Sequence, residues 1–391
     1  MNFCQVDISR ALKHNIMIIG SGVVGQASGK GLIKKGNYVT FVDNNKGVVK
    51  KLKQEGFVAY LSNDLDQIDA DISMVSVPTP SKKGDGSADL SYITSAMVDL
   101  GRWLKNRNKK IKQGDDNDVG RHGGGADNSN NNNNNNNKYH LVVIRSTVPV
   151  GTCRNVLLPL LQTTSEMSIG RDFGLCMQPE FMRTLTGEHD FLNPHATVIG
   201  EYDKRSGDEL EKIYSDFGGP LFRVEIEEAE FMKYVHNCFN ATKISFANEM
   251  WQMGQKIGID ANFALQMAVM SAEGFWNPKY GTVGGRPYGG PCLPKDVKAL
   301  LDSAKKFGVN TPLLSAVDYV NSQMEEQAEK GKVPYATLSQ PEKPPFPTTN
   351  ITTPTQSVTI KKKKRNNNNK NNNNKYRNDE YVLSDDIRKI M

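Results

Sequence analysis

The chain predicts an α/β fold in which a doubly wound parallel sheet is followed by an all-helical domain. Three observations carry this. An apolar run, Ile16-Met17-Ile18-Ile19, leads directly into Gly20-Ser21-Gly22-Val23-Val24-Gly25, and a helical stretch from Val24 to Lys35 comes next. A second apolar run, Tyr38 to Val42, ends on Asp43, 18 residues past Gly25. Beyond it, strand-like runs continue to alternate with helical ones, the pattern of a parallel sheet.

The first loop is the best defined element. A short apolar strand, G-x-G-x-x-G and a helix in immediate succession form the dinucleotide fingerprint of a Rossmann-like domain. Gly20 permits the tight turn, Gly22 lets a pyrophosphate approach, and Gly25 lets the helix pack on the strand. Val23 and Val24 open the helix whose N-terminus faces the phosphates. Asp43 ends the second strand, where an acid accepts from the adenosine ribose and rejects a 2′-phosphate, so NAD is expected rather than NADP.

A helical segment ending at Gly56 follows. Ala70 to Val77 is the next strand and runs into Pro78-Thr79-Pro80. A helix starts near Asp89, and Tyr139 to Ile144 resumes as a strand before Ser146-Thr147-Val148-Pro149. Pro78, Thr79, Ser146 and Thr147 therefore fall at strand ends beside the Gly20 loop, where such sheets bind ligands, and are expected to contact the cofactor. From Glu225 to Met253 the pattern is helical, with Phe231, Tyr234, Val235, Cys238 and Phe239 as one apolar stripe. Further helices are expected over Ala261 to Ala272, Val297 to Phe307 and Leu313 to Gln327. These elements divide the chain into a dinucleotide-binding domain over 1–200, a helical domain over 201–330 and a low-complexity tail over 331–391.

Apolar residues make up 37% of the 391. Two segments account for the low value, an asparagine-rich insert over 106–138 and the tail. Neither can bury enough apolar surface to offset chain entropy, so both are expected to be disordered. The insert joins a helix to the following strand, away from the loop edge of the sheet. The net charge of +6 comes partly from Lys361-Lys362-Lys363-Lys364-Arg365. No aromatic residues interleave with that run for base stacking, and no specific nucleic-acid partner is expected. Five cysteines without C-x-x-C pairing suit free thiols in a reducing compartment. No signal-peptide core and no run long enough to span a membrane are present, which points to a cytoplasmic protein without a membrane partner. The histidines show no metal-ligand spacing.

The second chemical signal is Tyr288-Gly289-Gly290-Pro291-Cys292-Leu293-Pro294-Lys295-Asp296. Glycines before a cysteine permit close approach of a ligand, and a neighbouring lysine charge favours the nucleophilic thiolate. On the α225–253 helix, Lys233 and Asn237 are four apart and share a face.

Together with Pro179-Glu180-Phe181 and Val320-Asn321-Ser322-Gln323, and taken in order along the chain, these segments resemble the UDP-glucose/GDP-mannose dehydrogenase family. The likeness runs from about Asn15 to Met324, less the insert. It implies NAD-dependent oxidation of a sugar C6 alcohol to a carboxylate, with UDP-glucose the first expectation, leading to UDP-glucuronate. Cys292 would attack the C6 aldehyde, and Lys233 and Asn237 would stabilise and orient the oxyanion. Asp296 would act with a water as the base, and Glu180 would assist thioester hydrolysis with Thr147 near the water. A homodimer through the middle helices is also implied. The plainer structural readings are Glu180 as a helix cap and Asp296 as an N-terminal helix acid, while Cys153, Cys176 and Cys238 read as small core residues.

Several positions depart from the family pattern. No glycine-bearing apolar strand follows Gly331, so the second α/β domain that closes over the sugar nucleotide is expected to be lacking. Thr184 stands where the family usually has a glutamate, Lys46 is the nearest basic residue after the ribose acid, and no arginine matches the one usual upstream of the cysteine. Two alternatives therefore stand beside the first reading: a catalytically weak or inactive dinucleotide-binding relic, and a dehydrogenase of another sugar nucleotide or of a small hydroxy acid.

Overall fold

A computed structural model of the protein describes residues 14–118, 138–183 and 185–334. The chain divides into two compact units between Asn248 and Glu249. In the first, β1 (Asn15–Ile19), β2 (Tyr38–Asp43), β3 (Ala59–Leu61), β4 (Ile72–Val75), β5 (His140–Ile144), β6 (Phe173–Met177), β7 (Thr197–Glu201) and β8 (Leu221–Glu225) form one sheet. Their order is β3-β2-β1-β4-β5-β6-β7-β8. The α-helices that lie wholly within this unit are α1 (Val23–Lys34), α2 (Lys46–Gln54), α3 (Ser91–Asp118), α4 (Leu158–Ser165), α5 (Gly187–Leu192) and α6 (Lys204–Tyr214).

β1, β4, β5 and β6 are buried on both faces, and the pleat sends alternate side chains to opposite cores. Met17, Ile19, Val142 and Ile144 join one core with Met97, Leu100 and Trp103 of α3 and Leu161 of α4. Ile16, Ile18, Leu141 and Val143 join the other with Leu32 of α1, Leu52 of α2 and Leu210 of α6. Each large side chain so buried contributes about 1.5–3 kcal/mol. The strand order reverses between β1 and β4, so the loops after these two strands flank the crevice where a ligand enters.

The sheet differs from the sequence expectation in three ways. It is mixed rather than wholly parallel, because β7 runs antiparallel to β6 and carries β8 parallel to itself. It extends past residue 200, since α6 and β8 continue the alternation. And α3 runs through Asp118, so the first part of the segment expected to be disordered is helical; Arg107, Lys109 and Lys110 are good helix formers that continue the turn at its start. Residues 119–137, the tail beyond 334 with its basic run, Thr184 and Cys4 lie outside the described residues.

α7 (Ile226–Ile257) starts directly after β8 and crosses the division at Asn248. The second unit adds α8 (Ala261–Ser271), α9 (Glu273–Trp276), α10 (Leu293–Lys306) and α11 (Pro312–Glu329). Glu249 is buried and accepts from the backbone N–H groups of Leu313 and Leu314 at 2.8 and 2.9 Å, which caps α11. Among the described residues no helix is long and apolar enough to cross a membrane.

Candidate active site

The Gly20 loop has the geometry its glycines require. Gly20 sits at φ +89°, and a Cβ there would lie 2.8 Å from the backbone of Ser76 and Val77 at the end of β4. A Cβ at Gly25 would stand 2.0 Å from the Gly20 carbonyl oxygen, so only glycine lets α1 seat on the loop. At Gly22 a Cβ would meet nothing within 4 Å. Gly22 caps α1 without any side-chain hydrogen bond, and the first turn of α1 carries no acid. The result is open space in front of uncapped helix N–H groups, which suits a pyrophosphate. Val23 is exposed and Val24 half-buried at the start of that helix.

Asp43 is set before any ligand arrives. Its carboxylate accepts from the backbone N–H of Ser21 and of Asn45, both at 2.8 Å, joining the glycine loop to the end of β2. The neighbouring loops are tied as well: Thr79 Oγ1 donates to the Thr147 carbonyl at 2.6 Å and Ser146 Oγ to that of Val77 at 2.7 Å. Gly20, Gly22, Asp43, Thr79, Ser146 and Thr147 thus lie on loops that meet at the carboxyl ends of β1, β2, β4 and β5, with Pro78 exposed beside them. These residues fit NAD.

The polar pair at the end of β6 forms from Glu180 and Lys233. Lys233 is buried; its Nζ donates to Glu180 Oε1 at 2.9 Å and also to the Glu180 carbonyl, and lies 5.5 Å from the centre of the Phe181 ring. A cation so desolvated needs a carboxylate against it, since an unpaired buried charge costs several kcal/mol. Asn237, one turn on, is exposed and accepts a contact from His236 Nδ1 at 3.0 Å.

Two residues of this region escape sequence reading. Glu230 is fully buried on α7, and its carboxylate accepts from the N–H of Cys153 at 2.8 Å and from that of Gly151. It thereby holds the turn that follows Thr147. Burial, and then the Glu230 charge, push the Cys153 thiol well up. Arg145, buried beside Ser146, is the other. The available signals were an acid three residues before Lys233 on one helix and a cation next to Ser146-Thr147.

Cys292 and Asp296 belong to the second unit. Cys292 is exposed and is the N-cap residue of α10, where helix N–H groups favour a thiolate. Gly290 before it has φ +78°, a conformation that favours glycine. The Cys292 carbonyl accepts from Asp296 N–H at 2.9 Å, within the first turn. Lys295 pairs with the Asp296 carboxylate, and that bond raises the lysine pKa. The lysine charge expected to serve the thiolate is therefore engaged by the carboxylate next to it. The buried Asn321 on α11 accepts from Tyr288 N–H at 2.7 Å and so holds the start of the cysteine loop.

Of the other cysteines, Cys153 and Cys176 are core residues as expected, but Cys238 is exposed. The stripe it belongs to is open too: Phe231, Val235 and Phe239 are 59%, 50% and 63% exposed. Helical spacing showed that these residues share a face, but not that the sheet packs against a different one.

Comparison with known proteins agrees with this geometry. Residues 129–218 match the NAD binding domain of the UDP-glucose/GDP-mannose dehydrogenase family and residues 227–323 its central domain. The chain is 33% identical over 333 residues to a GDP-mannose 6-dehydrogenase of Pseudomonas syringae pv. tomato, covering 80% of this chain and 69% of that one. It is 31% identical over 331 residues to a UDP-glucose 6-dehydrogenase of Rickettsia bellii, covering 78% and 65%. Among solved structures, a ternary complex of GDP-mannose dehydrogenase from Pseudomonas aeruginosa matches with TM-score 0.68 and 30% identity, covering 80% of this chain and 69% of the other. A UDP-glucose dehydrogenase from Pyrobaculum islandicum matches with TM-score 0.56 and 26% identity, covering 83% and 71%. The uncapped glycine loop, the ribose acid and the sequence likeness agree, and the chain belongs to the UDP-glucose/GDP-mannose dehydrogenase family of NAD-dependent oxidoreductases that act on CH–OH groups.

Proposed function

We propose that the chain oxidises the C6 alcohol of a nucleotide-linked hexose to the carboxylate. The observation that carries this is the buried Lys233 ammonium held 2.9 Å from Glu180 Oε1: a desolvated cation beside a carboxylate at the mouth of a dinucleotide-binding sheet. NAD supplies the hydride acceptor, two per sugar, giving a balance of alcohol, water and two NAD to carboxylate, two NADH and three protons.

The chain's own residues manage protons, charge and the covalent step. Asp296, through a water, takes the alcohol proton. The Cys292 thiolate forms a C–S bond to the aldehyde carbon, and the ammonium of Lys233 stabilises the oxyanion that results, with Asn237 orienting it. Loss of the second hydride leaves a thioester on Cys292. Glu180 assists the water that cleaves it, with Thr147 beside that water, and the thiolate returns. Gly20, Gly22, Gly25 and Asp43 hold the dinucleotide.

UDP-glucose is the substrate favoured by the sequence resemblance. The structural likeness, 0.68 to a GDP-mannose enzyme against 0.56 to a UDP-glucose enzyme, supports GDP-mannose as a second candidate. The exposed stripe on α7 supports a homodimer, and the free, exposed thiols of Cys238 and Cys292 suit a reducing compartment such as the cytoplasm.

The test is NADH production by the purified chain with each sugar nucleotide, counted against sugar consumed. Two NADH per sugar with one of them, and no acid from Cys292→Ala, is the expected result. One NADH per sugar, or full activity in Cys292→Ala, removes the cysteine mechanism. Measurable NAD binding without turnover of either substrate favours the dinucleotide-binding relic.

A further inference from the structure

A cavity in the first unit shares only Glu180 with the proposed catalytic set. Its volume is about 350 Å³, and it lies among the carboxyl ends of β5 and β6, the segment entering β7, and α7. Arg145, Gln178, Phe191, His195 and Tyr214 are among the residues lining it.

Arg145 makes this cavity chemically unusual. The residue is 3% exposed. Its Nη1 donates to Tyr214 Oη at 3.0 Å, and Tyr214 Oη donates to Gln178 Oε1 at 3.1 Å. The guanidinium carbon stands 5.5 Å from the centre of the Phe191 ring, within reach of a cation–π attraction. Its Nε is buried without a hydrogen-bond partner, and among the described residues no carboxylate pairs with this guanidinium.

The acids in the cavity wall are already engaged. Glu180 is bonded to Lys233, and Asp190 accepts from the Arg183 side chain, the Arg183 N–H and Thr186 Oγ1. Gln178, with its carbonyl oxygen taken by Tyr214, has no described partner for its amide nitrogen. What remains is a buried cation with no carboxylate against it, in a wall that also holds the Gln178 amide. Ring attraction and one neutral hydrogen bond fall short of what desolvating such a charge costs.

We propose that this cavity binds a small oxyanion, a carboxylate or a phosphate, against the guanidinium of Arg145. A guanidinium carries rigid paired donors matched in spacing to two oxygens of such a group. The site lies beside the Gln178–Met182 turn that sets Glu180 against Lys233, so its occupancy bears on that turn without the anion entering the reaction.

The test uses the full chain with saturating NAD, so that the α1 N-terminus is occupied. Thermal unfolding is followed against inorganic phosphate and against malonate, each compared with sodium chloride at equal ionic strength. A saturable rise in Tm of a few degrees with one or both anions is expected, since a ligand of the folded state raises apparent stability as it saturates. A rise with phosphate alone identifies a phosphate site, and one with malonate alone a carboxylate site. Arg145→Met should lose the rise while keeping a Tm in chloride close to that of the parent, because it removes an unpaired buried charge. Arg145→Lys, which keeps the charge but not the paired donors, should bind about 10-fold more weakly or worse, and carries the contrast if the methionine variant fails to fold. No saturable rise with either anion, or an equal rise in the parent and in the Arg145 variant, overturns the proposal.

Discussion

At the residue scale, the glycines of the first loop separate folding from binding. Gly22 has an ordinary φ of −72° and open space around it, so Gly22→Ala should leave stability within about 0.5 kcal/mol of the parent. The same methyl stands where a pyrophosphate would approach, so NAD affinity should fall. Gly25→Ala drives a methyl against the Gly20 carbonyl and should cost about 1–3 kcal/mol of stability as well. Urea unfolding and NAD titration of the two variants check this; equal NAD affinity in Gly22→Ala and the parent would take the pyrophosphate away from that position. The loop was legible because its logic is local: Gly20, Gly25 and Asp43 act within one strand–helix–strand unit. Glu230 was not legible, because its partner Cys153 is 77 residues away and only the fold brings them together. Arg145 likewise meets Tyr214 across 69 residues.

At the element scale, β5 carries a titratable group in the core. His140 is fully buried; its Nε2 lies 2.8 Å from Ser73 Oγ and its Nδ1 3.1 Å from the Ala70 carbonyl oxygen. Burial first, then the Arg107 charge, depress its pKa to about 3. Folding therefore favours the neutral ring. Above about pH 6.5 both states hold it neutral, and as pH falls below that value the unfolded chain takes up the proton first. Stability should decline from about pH 6.5 and go on declining until pH reaches about 3. His140→Asn should be less stable at pH 8 yet show a shallower decline below pH 6.5 in chemical denaturation. An equal slope in both proteins would assign the acid sensitivity elsewhere. Here too legibility follows length and direction. β1, β2, β4 and β5 announce themselves as apolar runs, whereas β3 has three residues and β6 contains a glycine. The reversal of β7 depends on pairing between Cys176–Met177 and Gly200–Glu201, which no local pattern encodes.

At the scale of the whole molecule, the open face of α7 decides the oligomeric prediction. Phe231, Val235 and Phe239 are spaced so that they fall on one side of the helix, and isolated chains rarely leave such rows in water. Phe239→Glu should convert a dimer to a monomer in sedimentation, with little change in the Tm of the first unit. A parent chain that is itself monomeric at micromolar concentration would remove the prediction.

The exposed Cys238 lies within that same row, next to Phe239. Its thiol is therefore a built-in reporter: it should react with a maleimide quickly in dilute solution and slowly where two copies cover it, at a rate that tracks assembly. Any thiol reagent aimed at Cys292 also meets Cys238, and a modification there would block pairing while leaving Cys292 intact. Inactivation by alkylation consequently speaks for the nucleophile only when it persists in a Cys238→Ser background.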